Sequence, residues 1–309
     1  MVSTGVSSIS GKTLSSQYET KNGFTTKFPS YVAVGGSGKI QTSTKGITWT
    51  SRTSGTSDSL NSITYGNSIF LAVGGSGSGG VILSSSDGVT WSVQLKSGVN
   101  NNYSATVFGN GTFIIVGRNG KILKSSDGSN WTDVSISSRD LLDVTYGKMF
   151  VAVSELSKLY TSSDGSSWTT VDISSGGGGG SVDYNGVAFG NNTYVAVGNS
   201  GKIYSSSDGS SWTSRTSGIT DTLNDITYGN SIFVAISSGG KILTSSDGSS
   251  WTERTSGTSY SLNSITYGNE KFIVSQGCCT NGLITSPDGI TWTSLNTSSD
   301  VNAMIYVSK

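Results

Sequence analysis

A tryptophan returns roughly every forty residues along this chain, at Trp49, Trp91, Trp131, Trp168, Trp212, Trp251 and Trp292, and a period of that length marks a radial repeat. Six of the seven close a Ser-x-Asp-Gly-x-x-Trp phrase, with its carboxylates at Asp87, Asp127, Asp164, Asp208, Asp247 and Asp288. Each unit has room for four short strands and their turns, and seven units fall within the range at which such blades close a ring without open sheet edges. The sequence therefore predicts an all-β fold, a seven-bladed β-propeller of four-stranded antiparallel blades.

Aligned on the tryptophans, the units show four strand-like segments, as in 60–65, 69–73, 81–85 and 91–94. The second is a continuous apolar run (Val32-Ala-Val34, Ile114-Ile-Val116, Val195-Ala-Val197), which calls for burial on both faces, as in a blade held between neighbours. A Tyr/Phe-Gly-Asn turn follows the first segment in five units, for example Tyr65-Gly66-Asn67, and its Gly and Asn are expected to supply positive φ. The first unit lacks an opening strand, while residues 301–306 match one. The C-terminal strand is thus expected to complete the first blade. Residues 28–309 form the propeller; residues 1–27 are a polar arm without a counterpart in the repeat, a candidate attachment segment.

Composition narrows function mainly by exclusion. Nineteen basic and nineteen acidic residues cancel, and charged residues make up only 12% of the chain, so no broad field draws it to nucleic acid. No apolar run reaches membrane-spanning length, and none near the start reads as a secretory signal. Histidine is absent, which removes the commonest general base and metal ligand. The two cysteines, Cys278 and Cys279, are adjacent, too close for a relaxed disulfide and too few for a zinc site. No cofactor, metal or catalytic residue is expected.

The Ser-x-Asp-Gly-x-x-Trp phrase resembles the Asp-box, or bacterial neuraminidase repeat, of many propellers, though Asp and Gly are adjacent here. Its Asp is expected to bond the amides of its own turn, its Gly to take a strained dihedral, and its Trp to bury its indole against the next blade. The first unit has Lys45 where the others have Asp, so the acid is dispensable and the phrase reads as scaffold. The resemblance brings a sialidase into view, but that activity needs an arginine triad at the axis. Arg52, Arg215 and Arg254 each follow a Trp on the outermost strand, leaving only Arg118 and Arg139.

The two faces of the ring differ. The first and third turns repeat almost unchanged, whereas the second turns and the links between blades vary, and loops held by a rigid scaffold are where binding residues collect. The candidate binding residues on that face are Tyr103, Arg118, Arg139, Glu155, Tyr184 and Cys278. Lysines opening third strands (Lys39, Lys121, Lys158, Lys202, Lys241) are expected to be offset by Asp140, Asp183, Asp221 and Asp225. The histidine-free, self-similar composition resembles propellers carried by phage virions. That implies a noncatalytic virion decoration or tail-associated adhesion protein, virion-borne or extracellular, with a capsid or tail protein held through the arm. The alternatives are a glycan-binding lectin and a protein-assembly propeller resembling photosystem assembly factors.

Overall fold

A computed structural model describes residues 29–76, 79–96, 101–136, 139–173, 182–277, 282–295 and 301–307, together with the backbone of 13–14, 20–21 and 24–25. Seven four-stranded antiparallel sheets surround a common axis. In blade 2 the strands are Leu60–Gly66, Ile69–Ser76, Gly79–Ser85 and Ser92–Lys96, and the other blades repeat the order. Each first strand lies against the first strands of both neighbouring blades, so first strands line the axis and fourth strands form the rim.

Blade 1 takes its first strand from the C-terminus. Ala303–Val307 pairs antiparallel with Tyr31–Val34 in the register Ala303↔Val34 to Tyr306↔Tyr31, as the terminal strand count requires, and the ring closes without an unpaired terminal blade. The arm departs from expectation at one place. Thr13–Leu14 pairs in parallel with Tyr306 and Val307, on the axial edge of that strand, where backbone groups would otherwise lack a partner.

Strand alternation builds the core between blades. Phe70 and Ala72 face blade 1, while Leu71 and Val73 face blade 3, so the apolar second strand is buried on both sides. At the head of that strand stands an aromatic residue in every blade: Tyr31, Phe70, Phe113, Phe150, Tyr194, Phe233 and Phe272, none more than 1% exposed. These rings carry more of the buried core than the tryptophans do. Only Trp91 is buried, and the other six indoles are partly exposed. The indoles also pack on the preceding blade, not the next. Trp91 of blade 2 joins the cluster of Val32, Val34 and Ile305 of blade 1, and Trp168 of blade 4 joins that of Ile114 and Val116 of blade 3. The cause is the face shared with the head-of-strand ring; Phe70 and Trp91 lie 6.4 Å apart, and both point backwards round the ring.

The glycine of the Tyr/Phe-Gly-Asn turn has a different duty from the one expected. Positive φ falls on the next two residues, Asn67 (45°) and Ser68 (61°), and likewise on Asn191 and Asn192, giving the primed turn that suits strand twist. Gly66 itself is where the next blade's aromatic ring lies. A Cβ there would stand 2.0 Å from Cγ of Phe108, and Gly109, Gly190 and Gly229 stand in the same relation to Tyr146, Tyr228 and Tyr267. A side chain at these positions would force the blades apart.

Candidate partner-binding face

The Asp-Gly turns form one face of the ring, and their chemistry is inward-looking. In all seven blades the serine of the phrase accepts from the glycine amide at 2.8 Å, as Ser85 Oγ does from Gly88. Asp87 Oδ1 accepts from the amides of Val89 and Thr90, both at 2.7 Å, and the other five carboxylates do the same in their own turns. These amides hold Asp127, Asp164, Asp208, Asp247 and Asp288 below the usual carboxylate range. At Asp87 burial pushes upward, but the amides of Thr90 and Val89 prevail. A carboxyl held ionised this way is a poor general acid. Blade 1 keeps the turn with Lys45: Gly46 has φ 70° and still donates to Ser43. Four indoles, those of Trp91, Trp168, Trp212 and Trp292, close the turn by donating Nε1 to the glycine carbonyl.

The first turn of one blade then clasps the Asp-Gly turn of the next. Asn67 Nδ2 donates to Ser126 O at 2.8 Å and Lys148 Nζ to Ser207 O at 3.0 Å, and from the third strand of blade 3 Lys124 Nζ adds a bond to Asp164 O at 2.7 Å. This face is occupied with holding itself together.

At the axis, the second residue of each first strand in blades 2 to 7 sits at a break in register, a bulge that turns its side chain towards the neighbouring blade. Asparagine there acts as a tie. Asn61, Asn185 and Asn224 donate to the carbonyls of Tyr103, Leu223 and Leu262 in the following blade, and Asn302 closes the circle on Leu60 at 3.0 Å. Asp143 and Asp225 accept the amides of Val187 and Ile265 across the same seam, at 2.9 and 3.0 Å. Asp225 is thus an axial tie, not a link residue facing the lysines. The space enclosed is about 170 Å³, below the roughly 300 Å³ at which small-molecule pockets begin. Its lining includes no arginine, and Arg52, Arg215 and Arg254 do lie on fourth strands. Among the described residues no group of three potential metal ligands comes together.

The second turns and links make up the opposite face. Two of the residues expected there are not on it. Tyr103 and Tyr184 open first strands and are each 1% exposed, Tyr184 edge-on to Tyr204 at 5.8 Å; an aromatic at the start of an axial strand faces the interblade core, and burial pushes the Tyr184 hydroxyl well above its ordinary range. Cys278 lies outside the described residues.

Arg118, Arg139 and Glu155 are brought together, over blades 3 to 5, with two acids the candidate set left out. Asp140 Oδ2 lies 3.8 Å from Arg118 Nε, and Asp140 Oδ1 accepts the amide of Asn119 at 2.9 Å. Asp183 accepts from Leu156 N and Asn199 Nδ2, both at 3.1 Å. Glu155 is held above its ordinary value, first by burial and then by Asp140 and Asp183, with Arg118 and Arg139 acting against them. Arg118 remains 59% exposed. The signal that could have found the two acids is a single Asp immediately before a first strand, which only these two links show among the described ones. The lysines of third strands are partly neutralised: Lys241 pairs with Asp221 at 2.9 Å as expected, whereas Lys121 and Lys158 pair with nearer acids, Asp133 and Asp172 on their own fourth strands.

Residues 47–176 match the family model described as the DUF6242 beta propeller domain. No curated protein sequence matches the chain significantly. Among solved structures, YCF48 from Cyanidioschyzon merolae is similar at 19% identity and a TM-score of 0.59, over 78% of this chain and 86% of that one. A structure of YCF48 bound to D1 peptide gives 20% identity and 0.65, over 82% and 88%. The computationally designed Ika8 protein gives 12% and 0.60, over 96% and 90%. These likenesses establish the propeller fold.

Proposed function

We propose that this chain is a noncatalytic propeller that binds a protein partner through its second-turn and link face, as an assembly factor or adaptor does. The observation that carries the reading is the gathering of Arg118, Arg139, Asp140, Glu155 and Asp183 across three blades on that face, with Arg118 exposed, while the opposite face spends its polar groups on interblade clasps. The similar fold of YCF48 bound to a D1 peptide favours an assembly role over the virion or tail role that the composition suggested, which is left with sequence style alone. The resemblance to the Asp-box repeat is supported by the six Asp-Gly turns but has no further backing. A lectin would need equivalent aromatic platforms in each blade, and Tyr103 and Tyr184 are buried.

The test is charge reversal on an otherwise intact ring. Arg118→Glu combined with Arg139→Glu should abolish recovery of the partner from the source cells by the tagged full chain, whereas Ser129→Glu on the Asp-Gly face should leave it unchanged. Equal recovery by all three proteins would end the proposal. Release of a fluorogenic sialic acid by the unmodified chain would overturn its noncatalytic part.

A further inference from the structure

In blades 3 and 4 the second turn contains a residue of left-handed backbone, Asn119 (φ 55°) and Leu156 (φ 60°), and the chain lays one of its own carboxylates on that residue's amide: Asp140 at 2.9 Å and Asp183 at 3.1 Å. Each acid stands one residue before the first strand of the following blade. The turn is therefore an oxyanion seat, amide donors in a tight curve being suited to a carboxylate.

Blade 1 builds the turn of blade 3, with Ser37 at φ 54° in the place of Asn119, but the residue before the following first strand is Ser59, which has no carboxylate to offer. Its backbone place is the same, since Ser59 O accepts from Gly75 N as Asp140 O does from Glu155 N. Around that position lies an open cleft lined by Ser37, Lys39, Arg52, Thr56 and Lys96 among others; the lining itself holds no acidic residue, although Lys96 is paired with Asp58 beside it at 3.4 Å. The Arg52 guanidinium is fixed by Nε donating to Thr42 Oγ1 at 2.9 Å. At the position of Arg52, which pairs with Ile40, blades 3 and 4 carry Val134 and Val171, which lie against Ile122 and Leu159, and the adjacent Asp133 and Asp172 pair with the third-strand lysines; on blade 1 a second cation stands at that position instead. Blade 5 repeats the substitution: Ser200 at φ 56°, Lys202, Arg215 anchored on Ser205 Oγ at 2.8 Å, and Thr222 where the acid would be.

We infer that the cleft of blade 1, and its counterpart on blade 5, are seats for carboxylates of an acidic segment of the protein partner, the same seats that Asp140 and Asp183 fill from within on blades 3 and 4. This rests on the reading that the second-turn face takes a protein. It is tested on the full chain alone, by following backbone amides during titration with acetyl-tetraglutamate amide. Ser37 and Gly38 should shift saturably. Ser59→Asp, which supplies the missing internal acid, should weaken that binding by about tenfold, the scale of one charge-assisted hydrogen bond. Asp140→Ser should make the Asn119 amide newly responsive. If Ser59→Asp does not fold, Arg52→Gln serves instead, with binding several-fold weaker. No shift at Ser37, undiminished binding by both blade 1 variants, or a stronger response of these amides to inorganic phosphate than to the peptide would overturn the inference. Because the probe is a free peptide and the readout is blade 1, such a failure leaves the partner recovery governed by Arg118 and Arg139 standing or falling separately.

Discussion

Alanine at Gly109 probes the contact that sets the spacing between blades. Its methyl would stand 2.2 Å from Cγ and 2.5 Å from Cβ and Cδ1 of Tyr146, far inside van der Waals distance. Tyr146 has little room to yield, since its ring lies 4.6 Å from that of Phe150 at 52°, and Phe150 is fully buried. Gly109 is not in the left-handed region, so the cost is steric: about 1–3 kcal/mol for overpacking a close-packed core. Gly111→Ala is the control two residues on, with φ +70° and nothing within 4 Å; it costs only backbone strain, about 1 kcal/mol. Urea unfolding followed by tryptophan fluorescence reads both. The cause is decided by adding Tyr146→Ala, which removes the ring the methyl strikes. The double variant should then be more stable than the two single penalties imply by about 1 kcal/mol or more. Strictly additive penalties would refute the reasoning.

Three further outcomes follow from the same geometry. Deleting residues 301–309 removes the first strand of blade 1 and the Asn302 tie, and should abolish the cooperative thermal transition seen by circular dichroism; an unchanged melting temperature would contradict ring closure. Asn302→Ala loses the bond to Leu60 O and should cost about 1 kcal/mol in urea, whereas Asn263→Ala, whose described bond is the one it accepts from neighbouring Ser261, should cost less. The Asp-Gly carboxylates are depressed in the folded state, so their contribution is fully present above the ordinary value of 3.8 and is lost as pH falls from there towards their folded values. The melting temperature should therefore be flat above about pH 5 and drop progressively below pH 4, and Asp247→Asn should lessen the drop.

The architecture was readable because its signals are local and repeated. The tryptophan period gave the blade count, and the match of 301–306 to a first strand gave the closure. What was not readable depends on relations between blades that are distant in sequence. The glycine of Tyr-Gly-Asn looks like a turn former until Phe108 is seen against Gly66, and a tryptophan's neighbour cannot be known before the tilt of its sheet. Tyr103 and Tyr184 looked like loop aromatics because the link runs into the strand without a marker. The asparagine ties were visible as Leu60-Asn61, Tyr184-Asn185 and Leu223-Asn224, but only the bulge explains why an amide side chain is wanted there. On the variable face, Arg118, Arg139 and Glu155 were found by their departure from the repeat; Asp140 and Asp183 were seen only as counter-charges.

The most direct test of the division between an inert face and a recognising one is site-specific photocrosslinking in the source cells. A photoreactive residue at Asn119, beside the Arg118 and Asp140 pair, should yield a discrete crosslinked protein, while the same residue at Ser129 in the Asp-Gly turn of the same blade should yield none. Adducts from Ser129 with none from Asn119 would contradict the account.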